Sequence, residues 1–166
     1  IAPGSNISIK YGFQGPLLNV DAACSTAAHS IGYAFHLIRN GSLQTAIAGA
    51  ADCPFSPTVV AAWSAMHALS TRDDPPAEAC RPFSADRDGL VLGEGAGILV
   101  LESETHALSR GAPILAEIKG YGASADGFHL TQPSLLGPAS AIRRALKDAI
   151  FNVKDIDYIK PKARVY

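Results

Sequence analysis

The sequence of 166 residues contains few cysteines, and none of them forms a CxxC pair. Cys24, Cys53 and Cys80 are an odd number, which argues against a disulfide framework and against a zinc site. Such sparing use of cysteine is typical of a reducing compartment, so we expect a cytoplasmic protein. The five histidines show no convincing metal-ligand spacing, and no metal site is predicted.

An excess of one charge and a long apolar run are also missing. The net charge is -1, and no cluster of Lys and Arg is dense enough for a nucleic-acid-binding face. The apolar runs are far shorter than the roughly 20 residues that a membrane span needs. With 48% hydrophobic and 17% charged residues, the composition is that of a folded globular domain. We therefore expect neither a nucleic-acid partner nor a membrane segment.

What the sequence does contain is an alternation of strand-like and helix-like segments, which predicts an α/β protein. Residues 16–20 and 45–51 have the pattern of strands, and residues 24–39 between them show helical spacing. Strand, helix and strand in this order predict a βαβ unit with parallel strands. The remaining predictions are helices at 58–69, at 139–150 and ending at Arg110, strands at 95–103, 114–121 and 157–159, and long loops at 70–90 and 123–137.

The first predicted junction between strand and helix carries Cys24, in the segment VDAACSTAAHSIG. In a βαβ unit the carboxyl end of a strand faces the start of the next helix, where such sheets place their sites. Unpaired N–H groups and the helix dipole favour a thiolate there, and the same N–H groups can hold an oxyanion. From these features alone, Cys24 is either a nucleophile or only a small residue at a helix start.

Four segments of the chain, taken together, resemble the β-ketoacyl-acyl carrier protein synthases, the condensing enzymes of fatty-acid and polyketide synthesis. They are VDAACSTAAHSIG at residues 20–32, AIAGAAD at 46–52, a long charged and glycine-rich segment at 68–102, and GASADGFHLTQP at 122–133. The resemblance runs from about residue 12 to residue 159 and favours the synthase II type. Several long motifs in order are far more specific than one short pattern.

The resemblance implies a thiolase-like fold of α-β-α-β-α layers, which this chain covers only in part. Residues 1–110 would be the later part of the N-terminal half, with the active-site cysteine. Residues 111–166 would begin a truncated C-terminal half. The full-length protein would be a homodimer, because residues 15–20 resemble the family's edge strand that pairs across the dimer.

The resemblance also implies a β-ketoacyl synthase reaction in which Cys24 takes an acyl group as a thioester. Malonyl-acyl carrier protein would then be decarboxylated, and its carbanion would attack the thioester. The backbone N–H of Cys24 would be one oxyanion-hole donor. The partner would be an acyl carrier protein that carries 4'-phosphopantetheine, and this chain would bind no cofactor itself.

Five further residues receive roles from the same resemblance. Trp63 falls where the family has a bulky residue lining the acyl pocket, although plain core packing explains it equally well. His67 replaces an arginine that faces the carrier protein, and a histidine is charged only part of the time near pH 7. Asp126, His129 and Thr131 match a mobile loop that gates the substrate pocket, with His129 structural or gating rather than catalytic.

The charged residues of the segment RPFSADRDGLVLGEGAG could suggest acid–base chemistry. We interpret them instead as a scaffold in which arginine–carboxylate pairs fix a long loop. The residues concerned are Arg81, Asp86, Arg87, Asp88 and Glu94.

The resemblance ends after residues 157–159, where the family continues to a His-Gly-Thr motif and this sequence reads KPKARVY. The two histidines that the family uses for decarboxylation have no counterpart here, so we expect an incomplete piece without condensing activity. One alternative is the non-catalytic chain-length partner of a polyketide synthase, a class that usually lacks the cysteine. An unrelated cysteine hydrolase is another, but it leaves the glycine-rich segment unexplained.

Overall fold

The computed structural model describes residues 2–73, 75–129 and 132–161. The elements in these residues alternate between helix and strand, which confirms the predicted α/β class. In chain order they are α1 (Ala2–Tyr11), α2 (Thr26–Arg39), β1 (Thr45–Asp52), α3 (Pro57–Ala65), β2 (Gly95–Glu102), α4 (Glu104–Ser109) and α5 (Leu136–Ala149). Short 3-10 helices occur at Ala23–Ser25, Pro76–Glu78 and Val153–Asp155.

The described residues divide into two compact units. The first comprises residues 2–50 and 97–157, with the exception of residues 130 and 131, and contains helices α1, α2, α4 and α5. The second comprises residues 51–73, 75–96 and 158–161, and contains α3 and the long loop that follows it.

Three predicted strands are wrong in the described residues, because their backbones pair with no neighbouring strand. Residues 16–20, 114–121 and 157–159 adopt no strand structure. A strand is defined by its ladder of hydrogen bonds, and an apolar pattern alone supplies no partner. Helix α1 is the opposite case, since its sequence of small and polar residues gave no helical prediction.

The predicted βαβ unit is wrong as well, because residues 16–20 form no strand that could pair with residues 45–51. The two strands β1 and β2 form a two-stranded sheet. The N–H of Ser103 donates to the carbonyl of Gln44 at 2.9 Å, whereas Gly49 lies against the backbone of Gly97. Residue numbers therefore rise along β1 while they fall along β2, which is an antiparallel arrangement. A Cβ atom on Gly49 would lie 2.0 Å from the carbonyl oxygen of Gly97, so this pairing requires glycine.

Helix α2 is held in the first unit by the ring of Tyr121. A Cβ atom on Gly32 would lie 2.4 Å from this ring, so a glycine lets the ring lie directly on the helix. The Tyr121 hydroxyl is 2.5 Å from Nδ1 of His29, and the ring of His36 meets the Tyr121 ring edge-on with the centroids 5.7 Å apart. The helix that follows Cys24 is thus fixed by a residue far along the chain.

Charge pairing connects α2 to α5 at the same place. Arg39 donates to the carboxylate of Asp148 at 2.8 Å, and the N–H of Tyr121 donates to its other oxygen at 2.9 Å. The hydrogen bond from Arg39 and the one from Tyr121 lower the pKa of Asp148. The carboxylate therefore joins α2, α5 and the segment before Gly122.

The apolar residues that are buried in the described part of the chain are all small. They are Ala34, Ala48, Ala68, Ala79 and Ala107. Larger apolar side chains of β2 remain exposed, with Ile98 at 48% and Val100 at 64% of their surface. None of the helices in the described part of the chain has the length and apolar character that a membrane crossing needs.

Candidate active site

Cys24 lies on a tight turn immediately before helix α2. It is the middle residue of the 3-10 helix Ala23–Ser25, and its side chain is exposed. The residue before it, Ala23, has a left-handed backbone with φ of 48°. That conformation costs a residue with a Cβ atom about 1 kcal/mol, and such strain is concentrated at functional sites. The predicted position of Cys24 at a helix start is confirmed, although the segment before it is not a paired strand.

Side chains on either side of Cys24 bind the backbone of the turn. The N–H of Ala22 donates to Oγ1 of Thr26 at 2.9 Å, and the carbonyl of Ala22 accepts from Oγ of Ser25 at 2.8 Å. The N–H of Ala23 donates to the carboxylate of Asp21 at 3.2 Å. The peptide groups on both sides of Ala22 are therefore held by polar side chains.

The N–H of Cys24 is oriented by the same turn. The carbonyl of Ala23 accepts from the N–H of Thr26. Because a trans peptide is planar, fixing this oxygen also fixes the direction of the Cys24 N–H, which points the opposite way. The structure gives this N–H no acceptor among the described residues. An exposed thiol next to an oriented N–H donor is an arrangement that suits nucleophilic attack on a carbonyl and stabilisation of the resulting oxyanion.

The predicted gating residues lie in the loop before α5. Asp126 accepts hydrogen bonds from the N–H and from the hydroxyl of Ser134, both at 2.6 Å, and these bonds lower its pKa. Nδ1 of His129 accepts from the N–H of Gln132 at 3.2 Å. Thr131 lies outside the described residues. Asp126 and His129 thus share one loop with local backbone contacts, and their gating role stays a prediction.

Trp63 and His67 lie together at the carboxyl end of α3, in the second unit. The N–H of Ala68 donates to the carbonyl of Trp63 at 3.3 Å, and the N–H of His67 donates to that of Ser64 at 2.9 Å. This pair of bonds, with His67 left-handed at φ of 53°, closes the helix in a Schellman motif. The predicted helix 58–69 therefore ends early, at Ala65. Trp63 is half-buried and His67 exposed, and both functional roles stay predictions.

The second unit contains an apolar cleft of about 330 Å³ between α3 and the loop that follows it. Phe55, Val60, Leu69 and Leu90 line it, together with Arg72. Trp63 is not among the lining residues, so this cleft is not the acyl pocket that the resemblance assigns to Trp63.

The carboxylate of Asp86 is the centre of the charged loop. Arg81 donates to it at 2.6 Å and Arg72 at 3.4 Å, and the hydroxyl of Ser84 donates to its other oxygen. The Ser84 hydrogen bond and the charge of Arg81 lower the pKa of Asp86. Both arginines also bind backbone carbonyls of this loop, so the pairs fix its path.

Asp88 and Glu94 complete this scaffold. Asp88 accepts from the hydroxyl of Ser70 at 2.6 Å and from the N–H of Thr71 at 3.0 Å, and both bonds lower its pKa. Glu94 accepts from the N–H of Phe55 at 3.2 Å. The predicted arginine–carboxylate pairing is confirmed for Arg81 and Asp86, whereas Asp88 and Glu94 hold backbone through other contacts and Arg87 donates to the carbonyl of Ser84. Within the described ranges, no group of three His, Cys, Asp or Glu side chains could hold a metal ion.

Most of the chain matches the models of two protein domains. Residues 2–107 match the N-terminal domain of the beta-ketoacyl synthases, and residues 115–164 match the C-terminal domain. The chain belongs to the beta-ketoacyl synthase family. The domain boundary that we predict after residue 110 stays a prediction.

Curated relatives of this synthase-family chain include several bacterial proteins. Nodulation protein E of Rhizobium sp. (strain N33) is 48% identical over 158 residues, which is 95% of this chain and 38% of the relative. The 3-oxoacyl-[acyl-carrier-protein] synthase 2 of Vibrio cholerae is 44% identical over 156 residues, again 38% of its length. The chain therefore spans about two-fifths of the relatives it matches.

Solved structures of synthases confirm the predicted fold class, a thiolase-like layered α/β fold of which this chain covers part. A beta-ketoacyl synthase from Burkholderia phymatum STM815 superposes with a TM-score of 0.87 at 42% identity, over 93% of this chain and 38% of that one. A type II polyketide ketosynthase, solved with its acyl-carrier protein and bound to the hexaketide, gives 0.88 at 35% identity, over 93% and 39%.

Sequence reasoning found the cysteine of this synthase segment but missed the side chains that hold its turn. Asp21, Ser25 and Thr26 flank Cys24 in the sequence, and each binds the backbone. The available signal was the run of short polar side chains around a helix start, which is typical of backbone capping.

Proposed function

We propose that this protein is a β-ketoacyl synthase, an acyltransferase that condenses an acyl thioester on Cys24 with malonyl-acyl carrier protein in fatty-acid or polyketide synthesis. The observation that carries the proposal is the exposed Cys24 on its strained turn, with an N–H donor oriented beside the thiol. Membership of the family and similarity to two 3-oxoacyl synthases support it.

The proposed first half-reaction uses the thiol and the backbone N–H of Cys24. The sulfur of Cys24 attacks the carbonyl carbon of an acyl thioester, and a new S–C bond forms while the carbonyl oxygen becomes an oxyanion. The N–H of Cys24 donates to that oxygen. Collapse breaks the S–C bond to the donor, whose sulfur leaves as a thiol with the proton that Cys24 gave up. The acyl group then remains on Cys24 as a thioester.

The second half-reaction needs groups that the histidines of this sequence do not supply. In the family two histidines stabilise the developing enolate, and no histidine here matches their positions. His29 is already bound to Tyr121 at 2.5 Å, and His106 pairs with Glu102 at 2.7 Å. We therefore propose that these 166 residues accept an acyl group but do not decarboxylate malonyl-acyl carrier protein.

An acyl carrier protein, with the substrate on its 4'-phosphopantetheine arm, is the proposed partner. One similar ketosynthase was solved with its acyl-carrier protein, which supports this assignment. His67 is proposed as a carrier contact, Trp63 as pocket lining, and the Asp126–His129 loop as the gate. We also propose a cytoplasmic location and a homodimer. Leu17 and Leu18 are 51% and 63% exposed, and the second copy of the chain would cover these apolar side chains.

Acylation of the cysteine tests the proposal directly. The protein expressed from its complete reading frame is incubated with the octanoyl thioester of N-acetylcysteamine, and each cysteine peptide is analysed by mass spectrometry. We expect an octanoyl adduct on Cys24 and not on Cys53 or Cys80, which are also exposed and therefore serve as internal controls. Equal labelling of all three cysteines would contradict a dedicated nucleophile.

A chain-length partner of a ketosynthase is the second candidate. The chain is 42% identical to a chain of the ishigamide ketosynthase/chain length factor structure, with a TM-score of 0.76. The presence of Cys24 favours the synthase, since such partners usually lack this cysteine. Covalent labelling of Cys24 by cerulenin, which family synthases accept, separates the two candidates, because a chain-length partner would not react.

A further inference from the structure

We infer that the side chain of Thr26 is a positioning residue for acyl transfer, which acts by orienting the N–H of Cys24. This inference rests on the proposed function of Cys24. Thr26 contacts the turn at two points, because its Oγ1 accepts from the N–H of Ala22 at 2.9 Å and its own N–H donates to the carbonyl of Ala23. These two contacts lie on successive residues of the strained turn.

The two contacts determine the peptide group that carries the Cys24 N–H. The bond to the carbonyl of Ala23 fixes the plane of the peptide between Ala23 and Cys24. The hydroxyl bond holds the backbone before Ala23, whose φ of 48° is a conformation that relaxes readily unless its neighbours are held. Without the Thr26 hydroxyl, the Ala22 N–H loses its acceptor and the turn gains freedom to rotate.

Ser25 and Asp21 hold the same turn from other directions. Ser25 binds the carbonyl of Ala22 through both its N–H, at 3.0 Å, and its hydroxyl, at 2.8 Å. Asp21 binds only the N–H of Ala23, at the longer distance of 3.2 Å. Loss of the Ser25 hydroxyl therefore leaves one bond to the same oxygen, whereas the Ala22 N–H depends on Thr26 alone among the bonds described.

An oriented N–H donor is needed for one reaction of this thiol and not for another. Attack on a thioester creates an oxyanion that the Cys24 N–H stabilises, and complete removal of such a donor lowers a rate by about 10²–10³. Alkylation by iodoacetamide displaces iodide at a saturated carbon and creates no oxyanion. A positioning role in the oxyanion hole therefore predicts that the acyl transfer rate falls while the alkylation rate does not.

The test compares Thr26→Val, which keeps the shape but loses the hydroxyl, with Thr26→Ser, which keeps the hydroxyl. In the full-length protein, we expect T26V to slow acylation of Cys24 by the octanoyl thioester of N-acetylcysteamine at least about tenfold, below the loss of a whole donor. T26S restores most of the rate. Iodoacetamide alkylation of Cys24, followed by peptide mass spectrometry, stays within about threefold of wild type in both.

Three outcomes overturn the inference. T26V that is acylated at the wild-type rate shows that the hydroxyl is not needed. T26V whose acylation and alkylation fall together shows a change in the thiol or the fold rather than in the donor. A wild-type protein that is alkylated but never acylated at Cys24 overturns the proposed function, and this inference with it.

If T26V does not fold, a second pair of variants tests whether the side chains of the turn orient the N–H of Cys24. Asp21→Ala removes the acceptor of the Ala23 N–H, and Asp21→Asn keeps a carbonyl oxygen there. We expect D21A to slow acylation more than alkylation. We expect D21N to return the acylation rate towards that of wild type. The shared premise is that side chains which bind the N–H groups of Ala22 and Ala23 orient the N–H of Cys24, so equal acylation rates in D21A and wild type would contradict the inference.

Discussion

The turn at residues 21–26 and the loop at residues 70–90 are both fixed by side chains that bind backbone, yet they use different chemistry. The turn is held by two hydroxyl groups and one carboxylate, with an exposed thiol at its centre. The loop is held by arginine–carboxylate pairs around Asp86, and its own exposed thiol, Cys80, directly precedes one of these arginines, Arg81. Ion pairs therefore fix the loop, whereas the turn that carries the proposed nucleophile is fixed mainly by hydroxyl groups.

Loss of the Cys24 thiol is expected to have the largest effect on acylation. It distinguishes the turn at residues 21–26 most clearly from the loop at residues 70–90. Cys24→Ala removes the only sulfur on the turn, so no acyl adduct should form at this peptide. Because Cys24 is exposed and makes no described side-chain bond, the midpoint of thermal unfolding should change little. The measurements are mass spectrometry after thioester treatment and a thermal melt. If C24A formed an acyl adduct in the same yield as wild type, the acylated residue would have to be another one.

The next effect concerns stability and belongs to the loop. Asp86→Asn removes the charge that Arg72 and Arg81 share, and because the Asp86 side chain is 57% exposed we expect the unfolding midpoint to fall by only about 2–4 °C. Glu78→Gln is the matched control, because Glu78 pairs only at 3.4 Å and its side chain is 67% exposed. The alkylation rate of Cys24 in folded D86N should match wild type. A larger loss of stability in E78Q than in D86N would contradict the central role of Asp86.

Acid is expected to weaken the loop for the same reason. The pKa values of Asp86 and Asp88 lie below their ordinary value of 3.8, because hydroxyl, amide and arginine donors stabilise the carboxylates. Their contribution to stability is therefore complete above that ordinary value and is lost as the pH falls through the lowered values. The protection factors of the amides in residues 70–90, which correct for the intrinsic pH dependence of exchange, should fall at acid pH in wild type. The pH dependence should be weaker in a variant with both residues changed to Asn.

The smallest expected effect is a gain, at the end of α3. His67 has φ of 53°, which glycine adopts without strain, so His67→Gly should stabilise the protein by about 1 kcal/mol. His67→Ala, which keeps the Cβ atom, is the control and should show no such gain. Denaturant unfolding measures both. Equal stability of H67G and H67A would mean that the left-handed conformation carries no cost here.

Local sequence patterns correctly predicted the elements whose signals lie within the element itself. Helices α2 and α5, strands β1 and β2 and the two long loops follow from periodicity, stop signals and apolar runs. The pairing of β1 with β2 did not follow, because strand direction depends on contacts between distant residues such as Gln44 and Ser103. The strand-like segments at residues 16–20 and 114–121 show the same limit. An apolar pattern indicates which side chains are buried, but it does not supply a neighbouring strand for the backbone to pair with.

The position of the proposed nucleophile, Cys24, could be predicted from the sequence, but the side chains that hold its turn could not. Cys24 stands out by motif, whereas the bond from the Ala22 N–H to Thr26 depends on the left-handed conformation of Ala23. Alanine rarely adopts that conformation, and composition does not reveal it. The Asp86 pairs were easier to infer, because opposite charges close in sequence can meet without unusual backbone geometry.

The contact between Gly32 and Tyr121 makes two distant positions depend on each other. A methyl group at position 32 would overlap the tyrosine ring, with 2.4 Å between the atoms. Relatives with alanine or serine at position 32 should therefore carry a smaller side chain at position 121, and the two positions should co-vary. Where both positions change together, the helix that follows Cys24 could shift relative to residue 121, and the orientation of the thiol would shift with it.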